Sequence, residues 1–124
     1  MLKVAFASTD MEWIDAHFGK TSQFVIYDIS DSGSEVTEVL KVDKEELSED
    51  DKNEQVAQIL ADKGVHVLYV ASIGPTAAAK VVKKRVHPLK ITDDKKIEDA
   101  CKEFEKMLGS NPPPWIKKII NQGV

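Results

Sequence analysis

A chain of 124 residues, 42% hydrophobic and 31% charged, has the size and balance of one globular domain and can bury more than half of its unfolded surface without a disulfide or metal to hold it. Its net charge of −4, with Lys and Arg interleaved among Asp and Glu, offers no broad basic face and excludes the footprint of a nucleic-acid binder. A single cysteine, Cys101, excludes an internal disulfide, a Cys-rich zinc site and a cluster held by this chain's thiolates alone. Without an export signal in residues 1–7 or any apolar run of about eighteen residues, the chain reads as cytoplasmic, with no membrane partner.

Leu2 to Ala7 is an apolar, β-capable run that stops at Ser8-Thr9-Asp10, which predicts a first strand covered on both faces. A loop to about Lys20 follows. Phe24–Ile29 and Glu35–Val42 read as two further strands, and Asp31-Ser32-Gly33 between them is short enough to make an antiparallel hairpin. The charged stretch Lys41–Asp51 is most simply solvated. Ser48 and Asp51 have the spacing of a capping pair, and Val56, Ile59 and Leu60 recur at helical spacing. Gly64 can close the helix, which is therefore expected over 49–63. Val65–Ala71 reads as a central strand, and a second helix should start near Gly74-Pro75-Thr76 and end before His87-Pro88. A short last strand, Leu89–Ile91, precedes a third helix capped by Thr92-Asp93, with Ile97, Cys101, Phe104 and Leu108 on one face and Gly109 at its end. Residues 1–110 thus form the main unit. Residues 111–124 add a Pro-rich spacer, Asn111–Pro114, and a short amphipathic helix whose Trp115, Ile116, Ile119 and Ile120 are expected to fold back onto it. This order describes an α/β protein with a mixed sheet of about five strands between helices.

In such sheets, ligands bind beyond the carboxyl ends of the parallel strands. Two segments converge there: the loop Ser8–Lys20, and Ser72-Ile73-Gly74-Pro75-Thr76, which leads into a helix whose N-terminus favours anions. His17 is the one good transition-metal ligand among them. Phe18 would anchor the loop, Gly19 would let the backbone pass close to a ligand, and Lys20 would offset an anion's charge. On spacing alone a loop histidine is more often an ordinary packing residue, so both readings of His17 stay open. His66, inside an apolar strand, and His87, at the far end of another, rank below it, and Cys101 reads as core. Asp10, Asp15 and Asp28 suggest a two-metal nuclease, yet nothing in their spacing requires them to meet. No other catalytic motif is present.

The stretches Lys3–Ser8, Asp15-Ala16-His17-Phe18-Gly19-Lys20 and Phe24–Tyr27, together with Val65–Val70, Ile73-Gly74-Pro75 and Val86–Ile91, resemble the dinitrogenase iron-molybdenum cofactor biosynthesis family, the NifX-like domain also found at the C-terminus of NifB proteins. The resemblance spans roughly residues 1–108. It implies a ribonuclease-H-like, three-layer fold and a non-catalytic role in carrying or storing an iron–sulfur or iron–molybdenum–sulfur cluster for nitrogenase assembly in nitrogen fixation. It also implies that His17 is the cluster ligand. Ser8, Thr9, Phe18, Gly19, Lys20, Ser72, Gly74 and Thr76 are then the expected cofactor-binding surroundings. Thr76 and Met11 stand where some members carry a cysteine, so no thiolate accompanies the histidine. A cofactor donor or acceptor protein is the implied partner, with the chain a monomer or weak homodimer. Two rivals keep the fold: a metal-free protein-interaction or regulatory module, and a carrier of a molybdenum–copper sulfide cluster.

Overall fold

Six residues, Leu2–Ala7, form the central strand β1. All but Lys3 are buried, as their unbroken apolar character requires. The computed structural model describes residues 2–42 and 49–122. Strands β2 (Gln23–Ser30) and β3 (Gly33–Lys41) follow as a hairpin. Then come α1 (Glu49–Asp62), β4 (Val67–Val70), α2 (Pro75–Lys83), β5 (His87–Lys90), α3 (Ile97–Gly109) and α4 (Pro114–Gln122). The sheet order is β3-β2-β1-β4-β5. Strands β1, β4 and β5 are parallel, and β2 runs against both β1 and β3. This is the five-stranded mixed sheet, flanked by helices, that the sequence implied.

Alternation along β1 divides the core. Ala5 and Ala7 pack with Val56, Ala57 and Leu60 of α1 and Ala77 and Val81 of α2. Leu2, Val4 and Phe6 face the other way, toward Ala100, Cys101 and Phe104 of α3, because successive strand side chains point to opposite faces. Phe6 stacks on Tyr69 at 6.0 Å and meets Tyr27 edge-on at 5.6 Å. Ile116 of α4 is fully buried in this second layer, with Trp115 and Ile119 against it, so the C-terminal segment folds back as its amphipathic pattern suggested. Ile120's side chain and the Ser48 half of the expected capping pair lie outside the described residues, as do residues 43–48 of the charged stretch.

Three local expectations need correction. The strand after α1 is shorter than Val65–Ala71, since Val65 N–H closes back on Leu60 O and the His66 backbone joins each neighbour by one bond, to Lys3 O and from His87 N–H. The last strand begins earlier, at His87, and runs through Pro88; β5 is an edge strand, where a residue without an N–H is tolerated. Helix α3 starts at Ile97 with Lys96 as its cap and no side-chain bond there. Thr92-Asp93 do not cap it, because Ile97 N–H donates instead to Glu12 O in the first loop, so a long-range backbone contact sets the helix start.

Burial also makes the fold pH-sensitive. His66 Nδ1 accepts from Lys3 N–H at 3.0 Å, and desolvation lowers the pKa of this ring. A histidine held neutral in the folded state stabilises the protein fully above its unfolded pKa, and that contribution is lost as pH falls below it. Urea midpoints should therefore drop from pH 7 to pH 5. The drop should be smaller in His66→Gln, which keeps an acceptor but cannot be protonated there.

Candidate functional site

The loop after β1 is organised by its own short polar side chains. Asp10 Oδ1 accepts from Glu12 N–H and Trp13 N–H, both at 2.9 Å, and from Ser8 Oγ at 3.2 Å. These backbone donors hold the Asp10 carboxyl below its usual range. Ser8 Oγ in turn accepts from Met11 N–H, and Asp15 accepts from Thr9 N–H and Thr9 Oγ1 at 2.9 and 2.6 Å. Ile14 N–H reaches Lys95 O, tying the loop to the start of α3.

The chain then returns along the carboxyl end of the parallel strands. Ala71 N–H donates to Ala16 O at 3.0 Å and Phe18 N–H to Ser72 O at 2.9 Å, so His17 pairs with Ser72 as a short parallel bridge. Phe18 is 1% exposed and packs on Phe24 at 5.9 Å, which fixes the segment from below. Between them His17 stands half-buried, its Nδ1 2.7 Å from Ser72 Oγ. When Nδ1–H donates to that hydroxyl, Nε2 keeps its lone pair for a ligand, the arrangement usual for metal-binding imidazoles. No partner for Nε2 is found among the described residues.

His17 borders a hollow of about 230 Å³ with Gly19, Asn53, Gly74, Pro75, Thr76 and Ala77. Helix α2 enters it N-terminus first: Gly74 is the extended cap residue, without a side-chain bond, and Pro75 opens the helix. The unpaired first-turn amides and the dipole aim partial positive charge at the hollow. Lys52, 6% exposed, donates through Nζ to Gly19 O, adding a buried cation behind the loop. None of the described lining residues is acidic. Asn53 is also 6% exposed and its Oδ1 has no hydrogen-bond partner, a deficit natural cores seldom leave unless a ligand or water meets it.

Of the residues singled out in the sequence, His17, Gly19, Gly74 and Thr76 share this hollow, Ser72 holds the imidazole, and Phe18 lies beneath. Ser8 and Thr9 are engaged within their own loop, and the exposed Lys20 is not among the lining residues. Asp28 sits by Lys3 at 3.5 Å, so the three aspartates serve separate local contacts, and no group of three metal-ligating side chains occurs among the described residues. His87 stacks on Trp115 at the sheet's other end. Cys101 is 4% exposed, and burial pushes its thiol up to about 11, so the native protein should resist alkylation at pH 8 and react stoichiometrically once unfolded in urea, as followed by mass spectrometry.

Lys52 and Asn53 were not anticipated. A signal for Asn53 exists, since residues 53, 56, 57 and 60 share one helical face and the other three are apolar; a polar residue extending an apolar stripe points to a site. Lys52 lies in an acid-rich helix start and reads as solvated.

Comparisons with known proteins agree with this architecture. Residues 1–107 match the family model described as dinitrogenase iron-molybdenum cofactor. The chain is 31% identical to Protein NifX of Sinorhizobium fredii, over 98% of this chain and 79% of that one. It is 33% identical to Protein NifY of Azotobacter vinelandii, over 96% of this chain and 48% of that longer one. In three dimensions it is similar to the apo form of the orange protein from Desulfovibrio gigas, with a TM-score of 0.61 at 18% identity, covering 87% of this chain and 90% of that one. The last likeness speaks for the fold; the family match over most of the sequence shows that this chain belongs to the dinitrogenase iron-molybdenum cofactor family.

Proposed function

We propose that this protein binds and carries an anionic iron–molybdenum–sulfur or iron–sulfur cluster of nitrogenase cofactor biosynthesis as cargo, with His17 Nε2 as its protein ligand and without making or breaking bonds in the cluster. Membership of the cofactor family and similarity to NifX and NifY support the biosynthetic setting. The observation that carries the reading is the His17 imidazole, fixed through Nδ1 by Ser72 and bordering a hollow that also receives the N-terminus of α2. The donor set fits such a guest: one soft-enough nitrogen ligand, with helix amides and the Lys52 cation for negative charge.

The size of the hollow bears on the role. At about 230 Å³ it is below the range of sites that enclose a drug-sized ligand, so it grips one face of a cluster and leaves the rest open to a donor or acceptor protein. A single protein ligand keeps the cluster exchangeable, as a carrier needs, and no acid pairs with His17 among the described lining residues of the hollow.

The test is anaerobic mixing of the purified protein with isolated iron–molybdenum cofactor, followed by gel filtration and metal analysis. Wild type should retain metal in the protein peak, and His17→Ala should lose most of it. Equal retention by the two would overturn the assignment of His17, and no retention by wild type would overturn the carrier reading itself.

A further inference from the structure

At the opposite end of the sheet, a second groove lies between the C-terminal end of α2, the start of β5 and α4. Its volume is about 470 Å³, and its walls include Val82, Arg85, His87, Trp115, Lys118 and Ile119. Val82 is 56% exposed, an apolar side chain left at the rim, and the Trp115 ring, stacked on His87 at 4.6 Å, supplies a rigid wall. Arg85 adopts a left-handed backbone, φ 67°, at the position following the α2 cap where glycine is usual. A bulky residue held there at some cost invites a functional explanation.

The charge distribution names the occupant. Residues 75–92 and 110–124 contain Lys80, Lys83, Lys84, Arg85, Lys90, Lys117 and Lys118 and not one Asp or Glu, in a chain with 21 acidic residues. Basic residues are thus not interleaved throughout, as the composition suggested: α2, β5 and α4 carry no acidic residue of their own, and Glu54 of α1 meets only the lysines of α2 and its cap. Lys84 is neutralised by Glu54, but neither Arg85 nor Lys118, the two cations in the groove, has an acidic partner among the described residues. We infer that this groove docks an extended acidic segment of a partner protein, with an aliphatic side chain seated between Val82, Trp115 and Ile119 and flanking carboxylates on Arg85 and Lys118. Apolar walls around only two cations fit a peptide better than a phosphate backbone, which needs a longer run of cations. Since β5 begins here whereas His17 lies beyond the strands' carboxyl ends, a partner bound in the groove leaves the cluster hollow open. The inference stands apart from the identity of the cargo.

The test uses the full chain carrying Trp13→Phe, which leaves Trp115 as its one tryptophan, and the capped peptide Glu-Asp-Leu-Leu-Asp-Glu as probe. Titration should change Trp115 fluorescence, and the affinity should fall steeply as salt is raised. Arg85→Glu with Lys118→Glu should weaken binding by at least about tenfold and should instead accept Lys-Lys-Leu-Leu-Lys-Lys. Arg85→Asn, which suits the left-handed backbone, should weaken binding less without unfolding the protein. His17→Ala should leave binding unchanged. Absence of peptide binding, equal binding by the charge-reversed variant, or preferential binding of an oligothymidylate in competition would overturn the proposal.

Discussion

Phe18→Ala should lower the unfolding free energy by about 3–5 kcal/mol, the usual cost of emptying a fully buried phenylalanine site. Small domains hold only about 5–15 kcal/mol in total, so this single truncation removes a large share of the stability. Phe18 is 1% exposed, packs against Phe24 in a tilted pair and belongs to the layer that includes Ala5, Ala7, Val56 and Leu60, so the truncation opens a void inside the core. Its backbone N–H also holds Ser72 O, which couples the damage to the site: in variant protein that remains folded at low temperature, His17 loses its fixed position against Ser72. Urea unfolding followed by circular dichroism measures the first effect, and anaerobic cofactor retention at 4 °C the second. A loss below about 1 kcal/mol, typical of surface changes, would show that the loop is not anchored through this ring.

How far the sequence disclosed the molecule depended on whether the deciding contact was local. The apolar run of β1, the Asp31-Ser32-Gly33 turn and the 56-59-60 spacing of α1 each act within a few residues, and each element lies where these patterns put it. The cap of α3 was not legible, because Ile97 N–H bonds to Glu12 O across 85 positions and tertiary contact outweighed the local capping preference of Thr92-Asp93. The candidate site divides in the same way. Gly74 and Thr76 were readable because the carboxyl edge of a parallel sheet gathers its loops, whereas His17 was placed at that edge by its loop and singled out from a packing histidine only by the family resemblance. Ser8 and Thr9 were readable as edge residues, yet their short side chains bond Asp10 and Asp15 within the same loop instead of facing the hollow. Lys52 and Asn53 enter from a helix on the neighbouring layer, and only the packing of α1 against the first loop brings them to His17.

Ser72→Ala should reduce cluster affinity by about 10–100-fold, the usual cost of deleting the group that orients a metal-binding histidine. Ser72 Oγ lies 2.7 Å from His17 Nδ1; a hydroxyl that accepts from Nδ1–H leaves the Nε2 lone pair free, and the contact holds the ring at the mouth of the hollow. The alanine variant frees the ring to rotate and to place its proton on Nε2, where it blocks coordination. Stability should change by only about 1 kcal/mol, because a half-buried hydroxyl–imidazole bond is being removed and not a core side chain. Ser72→Thr keeps the hydroxyl and should restore most of the affinity, which distinguishes orientation from simple loss of packing. Because the serine acts through the imidazole, the same substitution made in His17→Ala should cost nothing further, a non-additivity that a double-mutant cycle reads directly. The spectrum of the bound cluster offers an independent check, since a differently oriented nitrogen ligand alters it while an equal loss of folded protein only scales its intensity. If Ser72→Ala binds as wild type does, or if its effect adds fully to that of His17→Ala, Ser72 does not position the ligand and the imidazole must be held by another contact.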